Sequence, residues 1–247
     1  MSEDIRFHST KILATMKVNR KEREYQLRRE LIIDVSEQLF YERGYENVTL
    51  GDIARAADYT KKTLYSYITG KGELYLEVYC RGLEKRRLFI EESMDNAETG
   101  LDKIKALGTA YFEFFEENSQ MLLLVQYFDY RGIEYDKVEE EVVNKFININ
   151  KEANIKHLDA FKLGIKDGSI NPDIQPEIVY SQFIHSLRAI THNAIWGNME
   201  HSSEADKKRF AHEYFYYFLN FYLRGISSQS KKIIKFKYLP EAEENEE

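Results

Sequence analysis

Cysteine and proline are scarce in this chain, and each scarcity removes a class of protein. Cys80 is the only cysteine among 247 residues, so no internal disulfide can form, no thiolate cluster can hold zinc, and nothing points to an oxidising compartment. A cytoplasmic location is therefore expected. The three prolines, Pro172, Pro176 and Pro240, leave long stretches free of the residue that helix interiors tolerate worst, which favours long helices over an all-β design. Long hydrophobic runs are missing as well. The strongest, Met121 to Phe128, is interrupted by Gln126 and is far below the ~18 residues that a membrane-spanning helix needs. The N-terminus carries Glu3 and Asp4 and no long apolar stretch before a small-residue cleavage site, which argues against a secretory signal. There is neither a Walker-type lysine motif nor a GxGxxG turn to cradle phosphate. None of the six histidines has a Glu three residues before it, so the Glu-x-x-His pairs of carboxylate-bridged metal bundles are lacking. No metal, no cofactor and no catalytic residue is expected.

What the chain does have is apolar and aromatic material. The apolar share is 43%, and 18 Tyr and 15 Phe raise the aromatic share to 14%, enough for a sizeable core. The length exceeds the usual domain of about 100 to 200 residues, so two structural units are expected. Net charge is −7, at first sight unfavourable for a nucleic-acid partner. Its distribution matters more than its sum. Residues 1–75 hold 13 Lys and Arg against 12 Asp and Glu, leaving 22 against 30 for the remainder. The acidity is confined to the rear of the chain, and a locally basic front remains open.

Residues 1–24 have scattered apolar positions followed by the basic cluster Lys17, Arg20, Lys21 and Arg23, and read as a flexible extension or a DNA-contacting arm. From Leu27 the spacing turns helical, with Leu27, Leu31, Val35 and Leu39 at steps of four and Ile32 and Phe40 widening the stripe. Gly44 should end this helix in the left-handed conformation. Thr49 opens a second helix with Asp52 as its capping-box carboxylate, and Ile53, Ala54 and Ala57 supply a narrow apolar face. Thr60 is the next N-cap. It is followed by a helix over Thr60 to Tyr67 with Leu64 and Ile68 inward and Lys61, Lys62, Thr63 and Ser66 outward. Two short helices of this design, the second with a polar outer face, are what a helix-turn-helix must supply to a groove about 12 Å wide.

The run from Thr49 through Ile68, with Lys71 and Leu74 after it and Leu39 to Val48 before it, resembles the DNA-binding signature of the TetR-type regulators. About 47 residues, 28 to 74, follow the pattern in order. Three positions depart from it: Ile68 stands where an aromatic is common, Gly72 where a carboxylate usually follows Lys71, and Tyr59 where the turn has a small residue. The resemblance implies an all-α protein of about nine helices. An N-terminal three-helix helix-turn-helix domain (25–70) would be followed by a helical effector-binding and dimerisation domain (71–225) and a charged tail (226–247). It implies base contacts from Lys61, Lys62 and Thr63, with Thr49, Thr60, Tyr65, Ser66, Tyr67 and Lys71 completing the surface and holding phosphates.

Behind the signature, helices are expected over Lys71 to Met94, Leu101 to Glu117, Gln120 to Tyr130, Lys137 to Lys166, Glu177 to Met199 and Glu204 to Gly225. The fourth of these has Val138, Val142, Phe146, Ile149, Ala153, Leu158, Phe161 and Ile165 on its stripe. Asp167 to Pro176 is a break, since Gly168 can cap and two prolines stop the helix. Phe112, Leu124, Tyr127, Phe128, Phe161, Phe183 and Trp196 are the candidate effector pocket, each competing with a role in ordinary core. His185 and His192 are weaker candidates for a polar anchor. The last helix is apolar nearly all round, so a second chain is expected on Phe210, Tyr214, Tyr217, Phe218 and Phe221. The expected function is a homodimeric regulator, a repressor that leaves double-stranded operator DNA when a small, largely apolar effector binds. The alternative is an architectural or protein-interaction role without effector control.

Overall fold

The computed structural model describes residues 3–132, 137–196 and 203–229. These residues form nine helices: α1 (Glu3–Arg43), α2 (Leu50–Ala56), α3 (Lys61–Leu64), α4 (Lys71–Asp95), α5 (Gly100–Glu117), α6 (Ser119–Arg131), α7 (Glu140–Asp167), α8 (Pro176–Trp196) and α9 (Glu204–Ile226). The fold is all-α. The sole β feature among the described residues is an isolated antiparallel bridge between Ile170 and Ser227. The chain divides into two compact units, Met1–Phe89 with Phe114–Ala153, and Ile90–Glu113 with Asn154–Glu247. The last three residues of the helix expected to reach Met199, and the acidic end of the expected tail, lie outside the described residues.

In the first unit, Ile32, Ile33, Leu39 and Phe40 of α1, Ile53 of α2, Leu64 of α3 and Leu74 of α4 are all buried. This corrects the stripe read from the sequence. Leu27 and Leu31 are 66% and 44% exposed, and the inward face runs instead through Ile32, Ile33, Ser36, Leu39 and Phe40. A serine fits there because its Oγ donates to the Ile32 carbonyl at 2.7 Å, which satisfies the buried hydroxyl within the helix itself. The helix also starts at Glu3, well before the apolar periodicity becomes regular. It stops where expected: Gly44 takes φ 76° and donates its N–H to the Phe40 carbonyl at 2.9 Å.

A buried ionic cluster ties three helices of this unit together. Arg29 of α1 donates to Glu73 at 3.1 Å and Glu77 at 2.7 Å on α4, and Lys145 of α7 reaches Glu77 at 2.9 Å. Burial raises the Glu77 pKa, but hydrogen bonds from Lys145 and Arg29 outweigh it and hold the carboxyl below its ordinary range. Glu73 also accepts from the N–H and hydroxyl of Thr69 at 3.0 and 2.6 Å, fixing the start of α4 to the segment that leaves α3.

The second unit is built on aromatic contacts. Phe112 of α5 stacks on Phe215 of α9 with ring centroids 4.2 Å apart, and Phe183 of α8 lies 4.8 Å from Tyr222 and 5.9 Å from Phe161. Gly100 sits so close to α7 that a Cβ would overlap the Gly164 backbone. Gly168 adopts φ 79° and ends α7 as its position suggests. The link onward to α8 is pinned to the end of α9, with Asn171 N–H donating to the Ile226 carbonyl at 2.9 Å and Ser228 N–H to the Ser169 carbonyl at 3.1 Å. On α7 the buried positions shift from the expected register: Leu158 and Ile165 are half-buried, while His157, Ala160 and Gly164 take the inner side. Small residues let neighbouring backbones approach there, which a stripe of large apolar side chains would prevent.

Candidate nucleic-acid interface

The site is assembled by two caps. Thr49 accepts the Asp52 N–H on Oγ1 at 3.2 Å, while the Asp52 carboxylate accepts the Thr49 N–H at 3.0 Å and its hydroxyl at 2.6 Å. Those hydrogen bonds from the Thr49 hydroxyl and backbone hold the Asp52 carboxyl below its ordinary value. Thr60 plays the same part for α3, accepting the Thr63 N–H at 3.1 Å. Between the helices the chain reverses at Asp58, which has φ 57°, a left-handed conformation that Asp tolerates better than most residues. Apolar periodicity carries no signal for that strain, although a short polar residue in a turn is a fair indicator of it. Ile53, Ala54, Ala57, Leu64 and Ile68 are buried as expected, so the outer face is fixed by the inner one.

Helix α3 is shorter than the Thr60 to Tyr67 span read from the sequence. Its α-helical part ends at Leu64, and the next turn tightens through Ser66 N–H to the Thr63 carbonyl at 3.1 Å and Tyr67 N–H to the Leu64 carbonyl at 2.9 Å. The Ser66 hydroxyl donates to the Thr63 carbonyl at 2.6 Å, which favours this i to i+3 geometry. Lys61, Lys62, Tyr65 and Ser66 are exposed, and Thr63 is half-buried with its hydroxyl 2.9 Å from that of Thr60. Lys61 reaches back across Gly51 toward the start of α2.

The other candidates are more occupied than exposure alone would suggest. Tyr67 lies between Tyr25 of α1 and Tyr59, with ring centroids at 5.0 and 6.1 Å, and its hydroxyl accepts from Arg28 at 3.5 Å. Thr49 commits its hydroxyl to the cap. Lys71 stands 4.1 Å over the Tyr45 ring and 3.5 Å from the Glu46 carbonyl; desolvation draws its pKa down from the ordinary lysine value.

The residues expected around an effector are distributed over both units. In the first, Leu124 and Tyr127 line a cavity of about 250 Å³ with Phe40, Tyr41, Tyr45 and Leu123. The Tyr127 hydroxyl donates to the Glu46 carboxylate at 2.9 Å, and Phe128 stacks 4.9 Å from Tyr79. In the second, Phe112, Phe161 and Phe183 are fully buried, whereas Trp196 is 44% exposed at the end of α8. His185 is exposed with Nδ1 2.6 Å from the Ser181 carbonyl, and His192 is half-buried. On α9, Phe215, Leu219 and Leu223 face inward, while Phe210, Tyr214, Tyr217 and Phe221 form an outward stripe and Phe218 is half-buried. Among the described residues no three His, Cys, Asp or Glu gather as metal ligands, and no helix is long and apolar enough to cross a membrane. Burial pushes the Cys80 thiol up to about 12, so it is inert as a nucleophile.

Known proteins share both this sequence pattern and this architecture. The family described as bacterial regulatory proteins, tetR family, matches residues 32–78. The chain is 27% identical over 154 residues to the transcriptional repressor KstR2 of Mycolicibacterium smegmatis, covering 62% of this chain and 72% of that one. It is 31% identical over 126 residues to the transcriptional activator FasR of the same organism, covering 51% and 54%. The fold is also that of the regulator FadR from Bacillus subtilis, solved in complex with stearoyl-CoA, at a TM-score of 0.61 and 16% identity over 80% of this chain and 98% of that one.

Proposed function

We propose that this chain, which belongs to the TetR family of DNA-binding transcriptional regulators, acts as a homodimeric repressor that a small, largely apolar effector releases from its operator. One observation carries the DNA-reading part: Lys61 and Lys62 of α3 and Tyr65 of the turn that follows stand exposed, while Leu64 and Ile68 are locked into the core. Lysine ammonium groups and the Thr63 hydroxyl at that position suit the edges of bases in a major groove. Thr49, Thr60, Ser66, Tyr67 and Lys71 surround them and set register on the phosphates. Lys71 would have to leave the Tyr45 ring to do so, which couples its phosphate contact to the Tyr45 and Tyr127 cluster.

Dimerisation is assigned to α9. Phe210, Tyr214, Tyr217 and Phe221 recur at steps of four, three and four, and Tyr217 and Phe221 are 77% and 82% exposed. A contiguous aromatic stripe of this kind calls for a partner surface, and a second copy supplies one by two-fold symmetry. Phe218 lies at its margin.

The effector is assigned to Leu124 and Tyr127, because the cavity they line also includes Glu46, which accepts the Tyr127 hydroxyl. A ligand there would perturb the link between α1 and α2 directly and shift the population of DNA-competent conformers. Phe128 remains a candidate in the same unit; Phe112, Phe161, Phe183 and Trp196, in the other unit, are candidates for a separate effector site, for which Phe112, Phe161 and Phe183 would have to repack. The acyl chain of the stearoyl-CoA bound to FadR supports the apolar part of this reading, while its coenzyme A part is charged. Repression rather than activation follows KstR2, and FasR is the counterexample.

The test is binding of purified chain to duplexes it selects from a random library. Lys71→Ala should weaken binding to every duplex and flatten the salt dependence, whereas Thr63→Ala should change which bases are preferred. If both leave affinity and preference untouched, the contact assignment is wrong. Addition of fatty acyl-CoA should release the wild type; release that survives Tyr127→Ala unchanged would remove the effector from this cavity.

A further inference from the structure

The second unit holds a cleft that the function proposed above does not use. It opens between the end of α4, the first turn of α5 and the second half of α7, and its volume is about 310 Å³, at the small end of the range for ligand cavities. Every residue that lines it belongs to that unit. Met94, Ala160 and Leu163 give it an apolar floor, with Met94 and Ala160 buried and Leu163 half-buried. Beside the floor, a Cβ on Gly100 would overlap the Gly164 backbone and the Ala160 carbonyl, so α5 lies directly on α7 and the cleft has a wall of backbone.

Around that floor stand three carboxylates, Glu91, Asp95 and Asp159, and two ammonium groups, Lys103 and Lys156. Both cations are already engaged. Lys156 Nζ lies 2.6 Å from the carboxylate of buried Glu91, and Lys103 donates to the Met94 carbonyl at 2.7 Å, where it caps the end of α4. Asp95 and Asp159 are exposed, and among the described residues neither carboxylate has an ion pair or hydrogen bond. The cleft therefore has one net negative charge. Because α4 ends at Asp95, the carbonyl end of that helix adds negative potential at the same mouth. No three acids converge as metal ligands among the described residues, so the charge is spread over the rim rather than focused on a point.

We propose that this cleft binds a small organic amine, its apolar body on Met94, Ala160 and Leu163 and its protonated nitrogen against the carboxylates of Asp95 and Asp159. A compact molecule suits the volume, and a single diffuse cation suits a rim that does not gather into a metal site. An anionic amphiphile fits worse: Lys103 and Lys156 are committed to other partners, and its charge would face two unpaired carboxylates and the end of α4.

This site stands apart from the DNA-binding reading, and its test uses no DNA. Met94 is one of five methionines and lies in the floor, so its methyl resonance reports on the cleft directly. Full-length protein with isotope-labelled methionine methyl groups is titrated with hexylamine, hexan-1-ol, hexanoate and methylamine, and the Met94 signal is identified as the one missing from Met94→Leu. Hexylamine should move that signal saturably and bind more tightly than hexan-1-ol, with hexanoate weaker still and methylamine, which has no apolar body, without effect. The advantage of amine over alcohol should shrink at high salt, because the carboxylates are exposed. In Asp95→Asn/Asp159→Asn, whose fold circular dichroism checks, hexylamine should bind about three- to tenfold more weakly, the loss expected for two exposed charge pairs, while hexan-1-ol binds as before. A Met94 signal that hexylamine leaves in place would overturn the site. Hexanoate or hexan-1-ol binding as tightly as the amine, or amine binding unchanged in the double variant, would overturn the assignment to a cation.

Discussion

Among single residues, the interface depends on backbone groups satisfied by short side chains. Thr60 is the side-chain N-cap of α3, so Thr60→Ala should cost about 1 kcal/mol, seen as a lower denaturation midpoint with weaker DNA binding. Asp58 holds φ 57°, a conformation in which a β-branched side chain is strained by about 1 to 3 kcal/mol. Asp58→Val should therefore destabilise the unit clearly, while Asp58→Asn should be nearly neutral in the same melt. Asp52 adds a pH dependence of known sign. Its folded pKa is depressed, so its contribution is complete above the ordinary value of 3.8 and is lost as pH falls below that through the folded value. The difference in melting temperature between wild type and Asp52→Asn should be constant near neutrality and shrink once pH drops below about 3.8; a gap that widens in acid would reverse the assignment. The caps are legible in the sequence because Thr-x-x-Asp and a Thr before a Lys-rich turn state their chemistry in four residues. The left-handed Asp58 is legible only as a short polar residue in a turn, because its strain is set by the crossing of two helices.

Between helices, the links among α1, α4 and α7 are ionic where most of the core is apolar. Glu77 is 5% exposed and serves both Arg29 and Lys145. Removing it as Glu77→Ala takes the shorter of two carboxylate contacts from Arg29, leaving Glu73 as its partner, and breaks the bond to Lys145, so a destabilisation of about 1.5 to 3 kcal/mol is expected, while Lys145→Gln, at the exposed end of the cluster, should cost well under half of that. Comparable effects in the two melts would contradict the cluster's polarity. Gly100 offers a second check. Its missing Cβ makes room for the Gly164 backbone, and backbone yields less than a side chain, so Gly100→Ala should cost at least about 1 to 3 kcal/mol, whereas alanine at exposed Gly225, where a Cβ meets nothing, should not. Helix order and most boundaries are readable from period and punctuation: Gly44 and Gly168 end α1 and α7 in the conformation their positions imply. The inner face of α1 is not, because leucines at steps of four look like a core stripe even when Ser36, bonded to its own helix, is the residue inside. The register of α7 slips for a related reason, since Gly164 and Ala160 are buried for their smallness and carry little apolar signal.

For the protein as an assembly, the proposed reading puts two copies on one duplex. The outward aromatics of α9 are visible as an excess in the sequence, but only exposure separates Tyr217 and Phe221 from the inward Phe215 and Leu219. Charge at the stripe should undo the pairing: Tyr217→Asp with Phe221→Asp should sediment as a monomer of unchanged helix content and lose operator affinity, because one head alone forfeits the second half-site. A dimer that persists in that variant would place the interface elsewhere. Beneath all of this lies the assignment of the outer surface of α2 and α3 to duplex DNA, and selection from a random duplex library is the decisive measurement. The wild type should enrich a two-fold symmetric site with half-sites about 10 base pairs apart or a multiple of that, and Thr63→Ala should change the enriched bases. Enrichment of no site, or of an identical site by both proteins and by a Lys61→Ala/Lys62→Ala variant, would contradict it.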